Sequence, residues 1–165
     1  MQITSFKDMY IAELQELASM EKQLGEALQR MSRVASHPSL KDALLRHHEQ
    51  TRAQIERLES ILRNHGSSAY VHTDQAVEAL VAETEKMLKL VKGNDLRDAA
   101  VIASAQKLEH YEIAAYGTAA ALAGQLELRE DQSMLHDSLE AERQIDALLT
   151  ELAKSEVNQD ALLAA

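Results

Sequence analysis

The chain has no cysteine and no tryptophan, a single proline, five glycines and only 3% aromatic residues. Without cysteine there are no disulfides, no thiolate metal ligands and no cysteine nucleophile. The shortage of proline, glycine and aromatics, beside abundant Ala, Leu, Glu, Gln and Lys, argues against a β-rich fold and for an all-α one. No apolar run reaches the length of a bilayer span, so no membrane partner is expected. The opening residues, MQITSFKDMYIAELQEL, lack a basic stretch followed by an apolar one, so a cytoplasmic location is expected. Lys and Arg total 17 against 27 acidic residues, for a formal charge of −10, and they are scattered. Such a field repels phosphate backbones and points away from nucleic acid.

What the sequence does have is helical periodicity. The 165 residues read as a single domain with helices over about 4–35, 39–64, 75–92, 95–123 and 129–154. Thr4 or Ser5 can cap the first and Pro38 or Ser39 can open the second. Gly66 stops the second, Thr73 or Asp74 starts the third, and Gly93-Asn94 ends it. Two helical hairpins joined by a long crossover containing a shorter helix make a ferritin-like four-helix bundle. The C-terminal Leu-Leu-Ala-Ala resembles the ending of the bacterial tag that marks proteins for unfoldase-dependent proteolysis; a frayed helix end is the simpler reading.

Four acids fall on apolar stripes. Glu21 lies among Leu14, Leu17, Leu24 and Leu28, and Glu109 among Ile102, Gln106, Ile113 and Ala120. Glu142 is in line with Leu135, Leu139 and Leu149, with Asp146 one turn further on. A carboxylate in a helical core costs several kcal/mol unless a cation or donor meets it. Glu109 precedes the last turn by about as many residues as Glu142 follows it, so the two are expected to meet in depth. Glu21 is expected to face the part of the second helix where His47, Thr51 and Gln54 point inward. Acids converging from several helices suggest bound iron or manganese, one ion or two. No Glu-x-x-His pair occurs. Glu112 offers a further ligand from an adjoining face or else a solvated flank, His110 a surface or supporting role, and the tyrosines core packing. The metal-free alternative is a helical interaction protein with its acids protonated or hydrogen-bonded to Gln50, Gln54, Gln106 and the tyrosines.

Four segments carry a resemblance: LQELASMEKQLGEAL (14–28), HHEQTRAQIERLE (47–59), DAAVIASAQKLEHYEIAAYGT (98–118) and SLEAERQIDALLTELA (138–153). Together they resemble the YciE/YciF family of bacterial ferritin-like stress proteins, most specifically at AAQKxEHYEIAxYGT, matched here except at Ser104. The resemblance implies a ferritin-like bundle, a homodimer and a place in general stress responses. By position it implies ligand roles for Glu21, Glu109, Glu112 and Glu142, with His47 and Gln54 also matching. Two departures stand out, Gln50 and Ala141, where the family has Glu. Losing the first would take a charged ligand from the second helix and favour a single ion.

Overall fold

In the computed structural model, which describes residues 2–164, the chain is helical nearly throughout: α1 (Phe6–Val34), α2 (Pro38–Asn64), α3 (Gln75–Leu90), α4 (Asn94–Gln125) and α5 (Arg129–Leu152). Capping chemistry sets these boundaries. Ser5 accepts from the Asp8 amide at 3.1 Å while the Asp8 carboxylate accepts from the Ser5 amide at 2.9 Å, a complete capping box. Pro38 occupies the first turn of α2, where its missing N–H costs nothing. At the other end of α2, Gly66 adopts φ 69°, and its amide and that of Ser67 close back on Arg63 and Leu62. The α4–α5 turn repeats that closure, from Glu127 to Gly124 and from Leu128 to Ala123, but with Glu127 rather than glycine at φ 58°.

The hairpins α1–α2 and α4–α5 pack most extensively on themselves, and they join through α1 against α4 and α2 against α5. This closes a four-helix bundle around a core of Leu14, Leu17, Leu24, Leu28, Leu58, Ile102, Ala119, Ala120 and Leu149. Gly25 permits the close approach of α1 to α2: a Cβ there would meet Thr51 Cγ2 at 3.3 Å. Crossover helix α3 lies outside the square, on α1 and α4. Its 16 residues span about 24 Å, the reach a crossover needs. Asp74 fixes its start. The buried carboxylate accepts from Ala76 and Val77 amides and from Tyr111 Oη at 2.8 Å, and its own amide donates to Ser19 Oγ at 2.9 Å.

The end of the chain departs from expectation. Rather than fraying after residue 154, α5 runs through one π-helical turn (Ala153–Val157) into α6 (Asn158–Leu163). Val157 and Ala161 are buried, α6 packs on α4, and Glu156 reaches His37 Nε2 at 3.2 Å. Burial of those two apolar side chains holds the extra turns in place. Leu162 and Leu163 are exposed; Ala165, the last residue of the Leu-Leu-Ala-Ala motif, lies outside the described residues.

Candidate metal centre

At mid-height the apolar core gives way to carboxylates. Each lies on a stripe whose remaining members are buried, so the helix that buries its leucines buries the acid too. On α2 the stripe is Leu40, Leu44, His47, Thr51, Gln54 and Leu58, which turns the His47 imidazole inward. On α4, Glu109, Glu112 and Tyr116 follow one another at spacings of three and four. On α5 the inward line runs Leu135, Leu139, Glu142, Ile145 and Leu149. Gly25 against Thr51 puts Glu21, one turn back on α1, level with Gln54, as the hairpin register predicts.

His47, Glu109, Glu112 and Glu142 each offer one ligand atom, and those four atoms lie within 4.8 Å of one another. Their four side chains are at most 2% exposed. His47 Nε2 stands 3.0 Å from Glu109 Oε1, 3.6 Å from Glu142 Oε2 and 3.9 Å from Glu112 Oε2. The 3.0 Å approach is not aligned as a hydrogen bond, and both ring nitrogens are left without a partner. Glu109 Oε2, Glu142 Oε2 and both Glu112 oxygens are also unpartnered. Buried polar atoms are almost always hydrogen-bonded, so a set that converges without bonding calls for something between its members. Two neighbours steady the group. Gln54 Nε2 donates to Glu142 Oε1, and Tyr116 Oη donates to Glu21 Oε1.

Like charges at this depth resist ionisation. Burial, then the charge of Glu142, pushes Glu21 up to about 8. Burial raises Glu142 to about 7, with His47 pulling the other way. Burial, followed by Glu142 and Glu109, holds Glu112 well above the usual carboxylate range. Burial alone would push His47 down, but the facing Glu109 and Glu112 carboxylates outweigh it and hold the imidazole well above its ordinary value. The group therefore keeps protons at neutral pH that a cation would displace.

Six of the seven predicted site residues are brought together: Glu21, His47, Gln54, Glu109, Glu112 and Glu142. Asp146 is not. Partly exposed, it places Oδ1 3.2 Å from Nε2 of the exposed His110. The inward line of α5 passes through Ile145, and Asp146, a further 100° round the helix, falls at its edge. Gln50 is exposed on the flank of α2, so Gln at that position removes no ligand from the buried group. The solvated-flank reading of Glu112 is corrected too, since the residue is fully buried. Tyr116, for which core packing is the favoured expectation and a hydrogen bond to an acid the alternative, is buried and donates to Glu21. Its signal was in the sequence, seven residues or two turns beyond Glu109 on one stripe.

A family model described as a domain of unknown function (DUF892) matches residues 5–162. Protein YciF of Escherichia coli (strain K12) is 39% identical over 162 residues, 98% of each chain. The crystal structure of the E. coli stress protein YciF superposes with a TM-score of 0.89, covering 94% of this chain and 99% of that one. A Rhodopseudomonas palustris protein, YcfI, described as a candidate structural protein, is 30% identical with a TM-score of 0.87, over 90% of this chain and 95% of that one. A protein from Xanthomonas campestris pv. campestris, 20% identical, shares the fold with a TM-score of 0.74, covering 98% and 95%. The chain belongs to the DUF892 family, YciF-like in sequence and fold over nearly its whole length.

Proposed function

We propose that this is a ferritin-like stress-response protein that binds iron or manganese at His47, Glu109, Glu112 and Glu142. The observation that carries this reading is the convergence of four buried side chains in which both His47 nitrogens, both Glu112 oxygens, Glu109 Oε2 and Glu142 Oε2 have no hydrogen-bond partner. Three carboxylates and one imidazole are a hard oxygen-rich donor set that suits Fe(II) or Mn(II). A bound ion would supply one-electron redox chemistry, the basis for Fe(II) oxidation by O₂ or peroxide. Around it the protein's own groups have defined tasks. Gln54 orients Glu142, Tyr116 orients Glu21, and the enclosing leucines keep bulk water out. By the family resemblance and the sequence composition, the working form is a cytoplasmic homodimer of single-domain chains, which light scattering and limited proteolysis would check.

Elemental analysis after anaerobic loading with Fe(II) or Mn(II) tests the metal. One ion per chain, lost in Glu109→Ala/Glu142→Ala, is expected; no stoichiometric ion in the wild type would defeat the reading. A second reading draws on the Gln54–Glu142 and Tyr116–Glu21 hydrogen bonds and on the description of YcfI. There the acids stay protonated and the bundle is a metal-free structural or interaction protein. A melting temperature indifferent to metal, with a protein partner that co-purifies reproducibly, would favour it.

A further inference from the structure

The four converging ligand atoms come from three helices: His47 from α2, Glu109 and Glu112 from α4, and Glu142 from α5. Glu21 of α1 is just as buried but falls outside that set. The two oxygens of Glu142 have different surroundings. Its Oε2 lies 3.6 Å from His47 Nε2, within the set, while its Oε1 accepts from Gln54 Nε2. Gln54 is itself buried, and its Oε1 is left without a hydrogen-bond partner, as is Oε2 of Glu21. The amide is therefore held through its donor end, against Glu142.

A carboxylate shared by two ions gives one oxygen to each. Bundles built for two ions supply a Glu from each of two helices and a Glu-x-x-His pair from each of the others. Here His47 is the one imidazole of the group, and α2 follows it on the same stripe with the neutral Gln54. An amide –NH₂ is a donor with no lone pair to give a metal. A dication brought to Glu142 Oε1 would face the positive end of that group. Its remaining anionic ligand would be Glu21, one oxygen of which already accepts from Tyr116 Oη. Drawing a dication out of water against so few ligands is unfavourable.

We infer that Gln54 sets the capacity of the centre at one ion, by placing a donor on Glu142 Oε1 where a second ion needs an open acceptor. The inference rests on the metal reading above and deepens it, and its test tells the two apart. Replacing Gln54 by glutamate keeps the length and branching of the side chain, exchanges the donor for an acceptor and adds the missing charge. A Gln54 that only steadies Glu142 would change affinity on substitution and leave the number of ions unaltered.

The experiment is titration of the full chain with Mn(II), following bound metal by elemental analysis after dialysis and by electron paramagnetic resonance on the same samples. The wild type should saturate at one ion per chain, with the six-line spectrum of isolated Mn(II). Gln54→Glu, purified in Mn(II) so that the added charge is compensated, should saturate at two, and its six lines should give way to the spectrum of an exchange-coupled pair. Gln54→Leu, which removes the donor and offers no ligand, should stay at one. Glu21→Gln should also keep its ion, with a dissociation constant changed by less than about tenfold. A wild type without bound Mn(II) would overturn the metal reading and this inference together. Two ions in the wild type, or one in folded Gln54→Glu, would overturn this inference alone. Should Gln54→Glu not fold even in Mn(II), the wild-type count and Glu21→Gln decide: one ion in each supports the inference, and loss of the ion from Glu21→Gln overturns it.

Discussion

At one end of the bundle, Tyr10, His65 and Asp131 bring together the start of α1, the end of α2 and the start of α5. Tyr10 Oη donates to Asp131 Oδ2 at 2.9 Å, His65 Nε2 lies 2.6 Å from the same oxygen, and the two rings meet edge to face at 5.8 Å. At mid-height, His47, Glu109, Glu112 and Glu142 are more deeply buried and converge with both His47 nitrogens and most carboxylate oxygens unpartnered. Both sets pair an acid with a histidine, the end set at the partly exposed rim and the central set in the core. The end set is complete as it stands, a tie between helices; the central set is incomplete and carries three carboxylates around one imidazole. The bonds around a buried histidine and acid, more than their presence, separate a strut from a binding site.

The sharpest break in that comparison comes from metal. Fe(II) or Mn(II) at a hundred times its dissociation constant should stabilise the protein by about 2.7 kcal/mol, raising the melting temperature by roughly 5–10 °C. Glu109→Ala/Glu142→Ala should erase the shift, while Asp131→Asn should leave it intact. A shift surviving in the double variant would place the ion elsewhere.

Next in size is the response to pH. Folding raises Glu21 to about 8 and Glu142 to about 7, both above their unfolded values, and raises Glu112 and His47 as well. The native metal-free state thus binds more protons than the unfolded chain once pH exceeds the ordinary carboxylate range. Its stability should be greatest in mild acid and fall as pH rises through about 7 to 8, by up to about 1.4 kcal/mol per pH unit for each proton involved. Metal affinity runs the other way, because its ligands must shed those protons. Denaturant melts with and without Mn(II) at pH 5.5, 7 and 8.5 should show the gap widening; parallel curves would remove the protonated cluster from the account.

Smaller effects probe the end set. Tyr10→Phe removes one of two partners of a buried carboxylate and should cost about 1–2 kcal/mol without changing bound metal. If metal content fell with it, the two sets would not be independent. The smallest change touches neither. Glu127, exposed at φ 58°, should gain about 0.5–1 kcal/mol on replacement by glycine, read as a higher denaturation midpoint with an unchanged slope.

Much of this was legible in the residues. Apolar spacing of three and four residues and capping signals at Ser5, Pro38, Gly66 and Asp74 placed the helices, because those signals are local chemistry. Counting outward from the turns brought Glu109 and Glu142 to one depth, since antiparallel helices share a common rise. The same reasoning misplaced Asp146 and left Glu112 open between ligand and solvated flank, because each is near the edge of a stripe, where a neighbouring helix and not the helix itself decides burial. Tyr10–His65–Asp131 was invisible for a related reason: its members are far apart in sequence, and each sits at a helix terminus, where periodicity gives no phase. The extension through the π turn was likewise hidden, because a widened turn breaks the count on which the reading depends.

One consequence of the hairpin arrangement concerns how the molecule comes together in time. Glu21 and His47 belong to the first hairpin, while Glu109, Glu112 and Glu142 belong to the second. Each hairpin is made of contacts close in sequence and can form early; joining them must wait for the loop to close. That last step brings Glu21 down onto three carboxylates, with only His47 to offset them. Like-charge repulsion therefore falls on the docking event and acts as a brake on assembly, which protons or a divalent cation would release.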